Sequence, residues 1–219
     1  MLISGGIDST TLLATLAQNH KVLAVMFNYG QENFSPTAQC AKDQCMKYGA
    51  EFQVVNLPYS WSKASIIEGN YVDEGMSEGN IYKTDVKALS WVPARNATML
   101  LVAGGIASEQ GIKEVYCSFQ FDKSEWKTYK ALKLKYKFAA ADLTPRFLLY
   151  INKLSKFCYK TPVKFIAPFI EQQLDCVEIV QKGRMLGVDF AGTYSCRYHV
   201  KGKTCGKCEQ CVIREKRLA

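Results

Sequence analysis

The segment from Ser4 to Thr10 reads SGGIDST and holds the residues best suited to bind an anion. Gly5 and Gly6 allow a tight turn whose backbone N–H groups can approach a phosphate, and the helix predicted to follow adds its positive N-terminal end. Asp8 could cap that helix or bind a Mg²⁺ ion that bridges phosphate groups. Hydroxyl groups for phosphate oxygens would come from Ser4, Ser9 and Thr10. The alternative is a simple Gly-Gly turn that Asp8 caps.

Four cysteines near the C-terminus have the spacing of a metal site, and Gly206 lies where the first close pair needs a tight turn. Zinc binds four thiolates tetrahedrally, and such a set leaves no open coordination position, so the site would be structural. An iron–sulfur cluster or redox-active thiols are the alternatives. The four cysteines are Cys196, Cys205, Cys208 and Cys211.

Apolar runs and helical segments alternate along the chain and predict the elements that position these residues. Strands that alternate with helices form a parallel sheet, which binds ligands at the carboxyl ends of its strands. The predicted fold is therefore α/β, with a nucleotide-binding core over residues 1–194 and a zinc-binding tail over 195–219. Ser35 is a good N-cap for the second helix, and Pro36 suits its first position. Strands are predicted at 2–3, 21–27, 51–57, 114–118 and 163–166, and helices at 10–18, 35–49, 96–110 and 172–186.

Composition limits the class of protein. The 219 residues are 48% hydrophobic, which suffices for a buried core. No apolar run is long enough to span a membrane, and the N-terminus lacks the features of a secretory signal, so a cytoplasmic protein is expected. The net charge of +8 is concentrated in residues 127–164, which hold ten lysines and arginines and one acid, Asp142. This segment is either a solvated helical face or a surface for an acidic protein, a nucleic acid or a phosphorylated substrate.

Five segments, taken in order, resemble those of one enzyme family. SGGIDST resembles the PP-loop of ATP pyrophosphatases, which holds pyrophosphate, whereas the GxxxxGK[ST] motif of the Walker type is absent from the sequence. The other segments are NYGQ at 28–31, VPARN at 92–96, TYSC at 193–196 and CGKCEQCVIR at 205–214. Together they resemble the 7-cyano-7-deazaguanine synthases of queuosine-precursor biosynthesis, over nearly the whole chain.

The resemblance implies an activity, cofactors and binding residues. Members of this family use ATP to adenylate 7-carboxy-7-deazaguanine and release pyrophosphate; ammonia then gives an amide, and a second ATP-dependent step gives the nitrile. The implied cofactors are ATP, Mg²⁺ and Zn²⁺, and the implied assembly is a homodimer. Catalytic roles would fall to Asp8, Ser9 and Arg95. The nucleotide would be bound by Ser4, Gly5, Gly6, Ile7, Asp8, Ser9, Thr10, Tyr29, Gly30, Gln31, Arg95 and Asn96.

The substrate end departs from the family's pattern. A Tyr-Pro-Asp-Cys-Arg-like stretch of the family is replaced by residues 119–127, where Trp126 could stack on a purine. A phosphate-facing lysine of the family is Cys176 here, so Lys123 or Lys127 would have to substitute for it. The basic residue and the histidine that usually follow YGQ are replaced by Glu32 and Asn33.

These departures leave several functions open. The protein could make the nitrile, stop at the amide, or join the activated acid to another amine, such as one on a protein. A PP-loop enzyme that thiolates tRNA would use the basic segment for tRNA and a cysteine for sulfur transfer, although the clustered cysteines are already assigned to zinc. A nucleotide-binding scaffold that binds ATP without releasing pyrophosphate is the remaining alternative.

Overall fold

Two pairs of parallel strands make up the central sheet. In this computed structural model, β1 (Leu23–Asn28) pairs with β2 (Glu51–Asn56), and β3 (Glu114–Tyr116) pairs with β4 (Lys164–Ile166). The structure describes residues 1–57, 59–62, 64–68, 92–120, 141–197, 199–200 and 203–219.

Residues 1–3 join the two pairs into one sheet. The N–H group of Ile3 donates to the Val25 carbonyl at 3.0 Å, and that of Leu2 donates to the Tyr116 carbonyl at 2.9 Å. The order across the sheet is therefore β2, β1, residues 1–3, β3 and β4. This arrangement confirms the very short first strand predicted at Leu2 and Ile3, and it brings the segment that follows directly to the carboxyl edge of the sheet.

Helices connect the strands and end the chain. Two turns of 3₁₀-helix lie at Ala141–Leu143 and Phe190–Gly192, and β5 (His199–Val200) pairs antiparallel with β6 (Lys203–Thr204) in the tail. The α-helices of the described residues are α1 (Ile7–Leu16), α2 (Phe34–Lys47), α3 (Ser65–Glu68), α4 (Arg95–Glu109), α5 (Pro145–Cys158), α6 (Pro168–Glu171), α7 (Cys176–Met185) and α8 (Glu209–Leu218).

The core lies on both faces of the sheet. Val25 and Phe27 of β1 pack with residues of α4 and α5, whereas Ala24 and Met26 pack with residues of α1, α2 and α7. Alternate residues of a strand point to opposite faces, so the apolar run of β1 can serve both helical layers. This layered arrangement of helices on a parallel sheet confirms the predicted α/β class.

Two predicted helix starts are wrong because capping was misjudged. α2 begins at Phe34 and its N-cap is Asn33, so Ser35 and Pro36 lie inside the first turn. α1 begins at Ile7 with Gly6 as its N-cap, so Asp8 lies within the first turn and is not the capping residue. The observed caps, Gly6 and Asn33, each lie two positions before the residue expected to cap, Asp8 or Ser35. All four residue types are suitable N-caps, so the sequence alone did not distinguish between them.

The helix predicted over residues 172–186 begins later, at Cys176, and a short helix that was not predicted, α6, precedes it. α6 ends at Glu171, and Gln173 has a positive φ of 54° in the connection. α7 then starts after Asp175, whose side chain accepts hydrogen bonds from the N–H groups of Val177 and Glu178. The Glu178 carboxylate accepts in return from the Asp175 N–H group, which makes a capping box.

No helix within the described ranges is long and apolar enough to cross a bilayer.

Part of the basic segment, residues 127–140, falls outside those ranges. The rest includes α5, which Thr144 caps through a hydrogen bond from the Phe147 N–H group. Arg146, Lys153 and Lys156 are exposed on α5, as expected for a solvated basic helix.

Candidate active site

A cavity of about 290 Å³ opens at the carboxyl edge of the sheet. Its walls come from the ends of residues 1–3 and β1, the residues that follow β3, and the start of α4. Parallel α/β sheets bind ligands at this edge. Of the predicted binding residues, the cavity gathers Ser4, Ser9, Tyr29, Gln31, Arg95 and Asn96.

The segment from Ser4 to Thr10, called the phosphate loop below, is held in shape by its neighbours. Gly5 has a positive φ of 72°, and a Cβ atom there would lie 2.3 Å from the Thr37 carbonyl oxygen. Only glycine fits this position, for both reasons. The Gly5 carbonyl accepts a hydrogen bond from the Tyr194 N–H group at 2.9 Å. The loop is thereby tied to the residues just before the cysteine cluster.

Two serine hydroxyls meet within this loop. The Oγ atoms of Ser4 and Ser9 are 3.1 Å apart, and the Ser4 N–H group donates to the Ser9 Oγ atom at 3.2 Å. Ser9 is buried, whereas Ser4 is exposed at the mouth of the cavity. The pair therefore presents hydroxyl groups beside the N-terminal end of α1, where an anion is favoured.

Thr10 and Ile7 face the interior. Thr10 is completely buried, and its hydroxyl makes no hydrogen bond with any described residue. Ile7 packs against Val180 and Phe190 in an apolar cluster. The Thr10 side chain thus lies in the core and not on the cavity wall, and its predicted role in nucleotide binding stays a prediction. Any contact of Ile7 with a phosphate would be through its backbone.

Asp8 faces the C-terminal helix. Its carboxylate forms an ion pair with Arg217 of α8, in which Nη1 lies 3.2 Å from Oδ2 and Nη2 contacts Oδ1. Arg217 also donates to the Cys176 carbonyl at 3.2 Å. A carboxylate has about four lone-pair positions, so Asp8 could also bind a metal ion while it makes these contacts. The sequence did not reveal this pair, because its members are 209 positions apart.

Arg95 forms the opposite wall. It is the first residue of α4 and follows Ala94, whose φ of 58° is unusual for a residue with a side chain. Its guanidinium lies over the Tyr29 ring, 5.4 Å from the centroid, and its Nε atom donates to the Asn96 Oδ1 atom at 3.3 Å. Strained backbone of this kind often occurs at functional positions. The arginine is thus presented to the cavity by a helix start and an aromatic ring.

Asp142 lies near Arg95 and Asn96. Burial raises the pKa of Asp142, although the Arg95 charge and a hydrogen bond with Asn96 act in the opposite direction. In the sequence this residue was only the single acid of the basic segment. Its position beside Arg95 could not be inferred from that.

Gln31 shapes the turn that carries Tyr29. Its side-chain Oε1 atom accepts from the Tyr29 N–H group at 2.8 Å, and its Nε2 atom donates to the Phe27 carbonyl at 3.0 Å. Gly30 lies between them with a φ of 88°. Gln31 thus uses its amide to hold the backbone, while it also lines the cavity.

The four predicted cysteine ligands converge in the tail. Their Sγ atoms all lie within 4.8 Å of one another, with neighbours 3.5 to 4.0 Å apart. Zinc–sulfur bonds of about 2.3 Å place tetrahedral sulfurs about 3.8 Å apart, so the cluster has the size of a zinc site. The cluster is formed by Cys196, Cys205, Cys208 and Cys211.

Backbone groups support thiolate character at Cys205. Burial alone would raise its pKa, but hydrogen bonds from the N–H groups of Lys207 and Cys208, together with neighbouring thiols, lower the pKa to about 7. The two N–H groups lie 3.5 and 3.3 Å from the Cys205 Sγ atom. Metal binding requires the thiolate form, which these contacts favour.

The tail packs firmly on the core. Arg214 donates to the Thr193 Oγ1 atom at 2.7 Å and to the Ser195 Oγ atom at 3.2 Å. Asn33, one of the departures after YGQ, donates to the Cys196 carbonyl at 2.9 Å. The residue that replaces the usual histidine thus connects the cavity side of α2 to the cysteine cluster.

Comparison with known proteins decides the family. The sequence profile of the Queuosine biosynthesis protein QueC family matches residues 1–219. The chain belongs to this family. A 7-cyano-7-deazaguanine synthase of Methanocaldococcus jannaschii is 32% identical over 230 residues, covering 98% of this chain and 91% of that protein. One of Hahella chejuensis is 30% identical over 216 residues, covering 97% of this chain and 84% of that protein.

Membership in the QueC family supports an ATP-using enzyme of the PP-loop class, and it favours neither tRNA thiolation nor a non-catalytic scaffold. Of the segment that departs from the QueC pattern, Phe119 lines the cavity. Residues 121–127 lie outside the described ranges, so the predicted stacking by Trp126 stays a prediction.

Proposed function

We propose that the protein is an ATP-dependent 7-cyano-7-deazaguanine synthase. The observation that carries this proposal is one cavity that joins the serines of the phosphate loop to Arg95 and Tyr29. Such a cavity can hold a triphosphate at one wall and an anionic, planar substrate at the other. Relatives in the same family are named for this activity.

In the first step, a carboxylate oxygen of 7-carboxy-7-deazaguanine attacks the α-phosphorus of ATP, and pyrophosphate leaves. Ser4, Ser9 and the backbone of Gly5 and Gly6 would bind the leaving pyrophosphate at the start of α1. Arg95 would hold the carboxylate or the α-phosphate, because its planar guanidinium can make two parallel hydrogen bonds.

Ammonia then attacks the acyl-adenylate and displaces AMP, which gives the amide. The amide oxygen then attacks the α-phosphorus of a second ATP and displaces pyrophosphate, and loss of that oxygen with AMP leaves the nitrile, with both amide protons released. Neither step requires a protein nucleophile. Orientation of the reactants and compensation of negative charge are therefore the main tasks of the residues around the cavity.

Two metal ions belong to this proposal. Zn²⁺ would be bound by the four clustered cysteines and would fix the tail, residues 195–219, to the core, residues 1–194. Mg²⁺ would accompany ATP, with Asp8 as its protein ligand, because carboxylate oxygens suit this ion. Its chemistry would be to neutralise the charge of the phosphates.

The proposal includes the assembly and the location of the enzyme. A homodimer is supported by an exposed apolar strip on α5, where Leu149, Leu154 and Phe157 are 52, 43 and 87% exposed. A reducing compartment such as the cytoplasm suits a chain whose nine cysteines are free thiols. The basic face of α5 would suit an acidic protein or a nucleic acid if a further partner exists.

The test is pyrophosphate release from ATP and Mg²⁺ with 7-carboxy-7-deazaguanine, followed by mass spectrometry of the product. With ammonia, we expect AMP, pyrophosphate and the nitrile. Asp8→Asn should abolish most of the release, whereas Met185→Ala, a surface change on α7, should not alter it. Intact ATP in the presence of this acid would refute the proposal, and an amide as the final product would restrict it to the first half of the reaction.

A further inference from the structure

Residues 190–195, called the connecting segment below, contact the phosphate loop and lead into the cysteine cluster. The N–H group of Tyr194 donates to the Gly5 carbonyl at 2.9 Å, at the residue where the loop turns with a φ of 72°. A Cβ atom on Gly6 would lie 3.6 Å from the Tyr194 carbonyl oxygen, so the segment also passes close to the next residue of the loop. The phosphate loop therefore takes part of its shape from the connecting segment.

One arginine of α8 holds this segment at three oxygen atoms. The Nη1 atom of Arg214 donates to the Thr193 Oγ1 atom at 2.7 Å and to the Ser195 Oγ atom at 3.2 Å. Its Nη2 atom donates to the Phe190 carbonyl. Because a guanidinium is planar and rigid, these contacts restrict where the backbone of the segment can lie. Two of them flank Tyr194, the residue whose N–H group reaches the loop.

The cysteine cluster fixes the helix that carries Arg214. Cys208 is the N-cap of α8 and Cys211 lies in its first turn, so two of the four clustered thiols belong to this helix. A third, Cys196, directly follows the connecting segment. Metal binding would thus hold helix and segment together. Arg214 is not among the residues that line the cavity, so it can affect a bound nucleotide only through the loop.

We propose that Arg214 is a positioning residue for ATP binding, because it holds the connecting segment against Gly5 and so keeps the phosphate loop in its anion-binding shape. This inference rests on the proposed function, since it concerns the phosphate end of the same site. A glycine turn has many accessible conformations when nothing holds it. Donor groups that are already in place bind an anion without the cost of ordering the loop.

The experiment measures binding of Mg²⁺–pyrophosphate by titration calorimetry, without the carboxylate substrate. Arg214→Ala should weaken binding by roughly 10- to 100-fold, as expected when a remote change misplaces binding groups. Arg214→Lys should recover only part of the affinity, because an ammonium group lacks the planar fork that reaches several acceptors at once.

Arg197→Ala is the matched control. Arg197 is another arginine of the tail with little exposed surface, 20%, and it pairs with Glu209 at 3.1 Å. Its loss should change pyrophosphate affinity less than about twofold, even where it lowers the melting temperature. A role in stability alone would instead make affinity follow melting temperature in both arginine variants.

A second pair of variants tests whether Arg214 acts through the contact with Gly5. Tyr194→Pro removes the N–H donor, and the extended backbone of Thr193, with φ of −115° and ψ of 153°, accepts a following proline. This change should weaken binding about as much as Arg214→Ala, whereas Tyr194→Phe keeps the donor and should weaken it less. Adding Arg214→Ala to Tyr194→Pro should cost less than about a further twofold, because both changes disrupt the same contact.

Zinc content and melting temperature are measured for every variant. If Arg214→Ala keeps its zinc and binds pyrophosphate as tightly as the original protein, the inference is wrong. If Arg214→Ala does not fold, Arg214→Lys takes its place under the same criterion. Multiplying effects in the folded double variant, or affinity that follows melting temperature in Arg197→Ala as well, would also overturn it. Absence of turnover with 7-carboxy-7-deazaguanine, while pyrophosphate binding behaves as expected, would count against the proposed function and not against this inference.

Discussion

The two walls of the cavity are built differently. The phosphate-loop wall is made of backbone and two serine hydroxyls, and it is fixed by the contact between Gly5 and Tyr194 and by the ion pair of Asp8 with Arg217. The Arg95 wall is made of side chains, with a ring contact at 5.4 Å and a hydrogen bond to Tyr29 at the 3.5 Å limit. Backbone sites change little when nearby side chains change, whereas side-chain sites can be altered one residue at a time.

Two departures from the family's pattern lie beside the phosphate-loop wall. The glycines and serines of the phosphate loop agree with the family's pattern, and the departures concern side chains such as Cys176 and Asn33. Both of these positions contact the tail. The Cys176 carbonyl accepts a hydrogen bond from Arg217, and the Asn33 side chain donates one to the Cys196 carbonyl.

The largest effect should come from releasing the tail that fastens the phosphate-loop wall. Cys208→Ser removes a buried ligand, and we expect loss of zinc with a fall of roughly 10²-fold or more in pyrophosphate release. Cys158→Ser, at an exposed thiol on α5, is the control and should leave both unchanged. Metal analysis and the release assay check this, and full zinc content in Cys208→Ser would show that Cys208 is not required to bind the metal.

A smaller effect should follow from distorting the loop itself. Gly5→Ala adds a Cβ atom 2.3 Å from the Thr37 carbonyl, whereas Gly49→Ala has a similar φ of 64° and meets nothing within 4 Å. Both should lose about 1 kcal/mol through the positive φ. Only Gly5→Ala should also reduce the rate by roughly 10²-fold, because the phosphate groups would be misplaced. Equal rates for the two variants would mean that the loop adapts to the added atom.

On the opposite wall, Arg95→Ala should lower kcat/KM by roughly 10- to 100-fold, as expected for loss of a charged hydrogen bond. Arg95→Lys should recover only part of this, since lysine lacks the planar group that lies over Tyr29. Arg146→Ala removes a similar arginine–tyrosine contact, 5.7 Å from the Tyr150 ring on α5, and should have no effect on turnover. An Arg95→Ala enzyme with normal kinetics would remove this wall from the site.

The smallest effect concerns Asp142. Because burial raises its pKa in the folded protein, its charged form destabilises the fold, and this penalty is fully present above the folded pKa. Asp142→Asn should therefore raise the melting temperature slightly at pH 7, by at most a few degrees. The difference should shrink as the pH falls below the folded pKa and vanish below the pKa of the unfolded carboxyl. A variant that melts lower at pH 7 would show that the contact with Arg95 outweighs the cost of burial.

Much of the fold was predictable because its signals are local. The run from Val22 to Phe27 is apolar on both faces and was predicted as a strand, and Gly187 ends α7 with a positive φ. The start of α7 was predicted four residues too early, at 172, although its capping box is visible in the sequence as Asp175 and Glu178. The apolar pattern extends upstream of Asp175, so it does not by itself show where the helix begins.

The sequence alone determined the phosphate loop and the four cysteines, since glycine freedom, helix starts and metal-ligand spacing act over a few neighbouring residues. Tertiary structure decided which side chains face the cavity, so that Thr10 lies in the core while Ser4 and Ser9 line the wall. It also decided that Arg217 meets Asp8, and that Asp142 lies beside Arg95. These contacts join residues far apart in the chain, and they exist only because the packing of several helices brings them together.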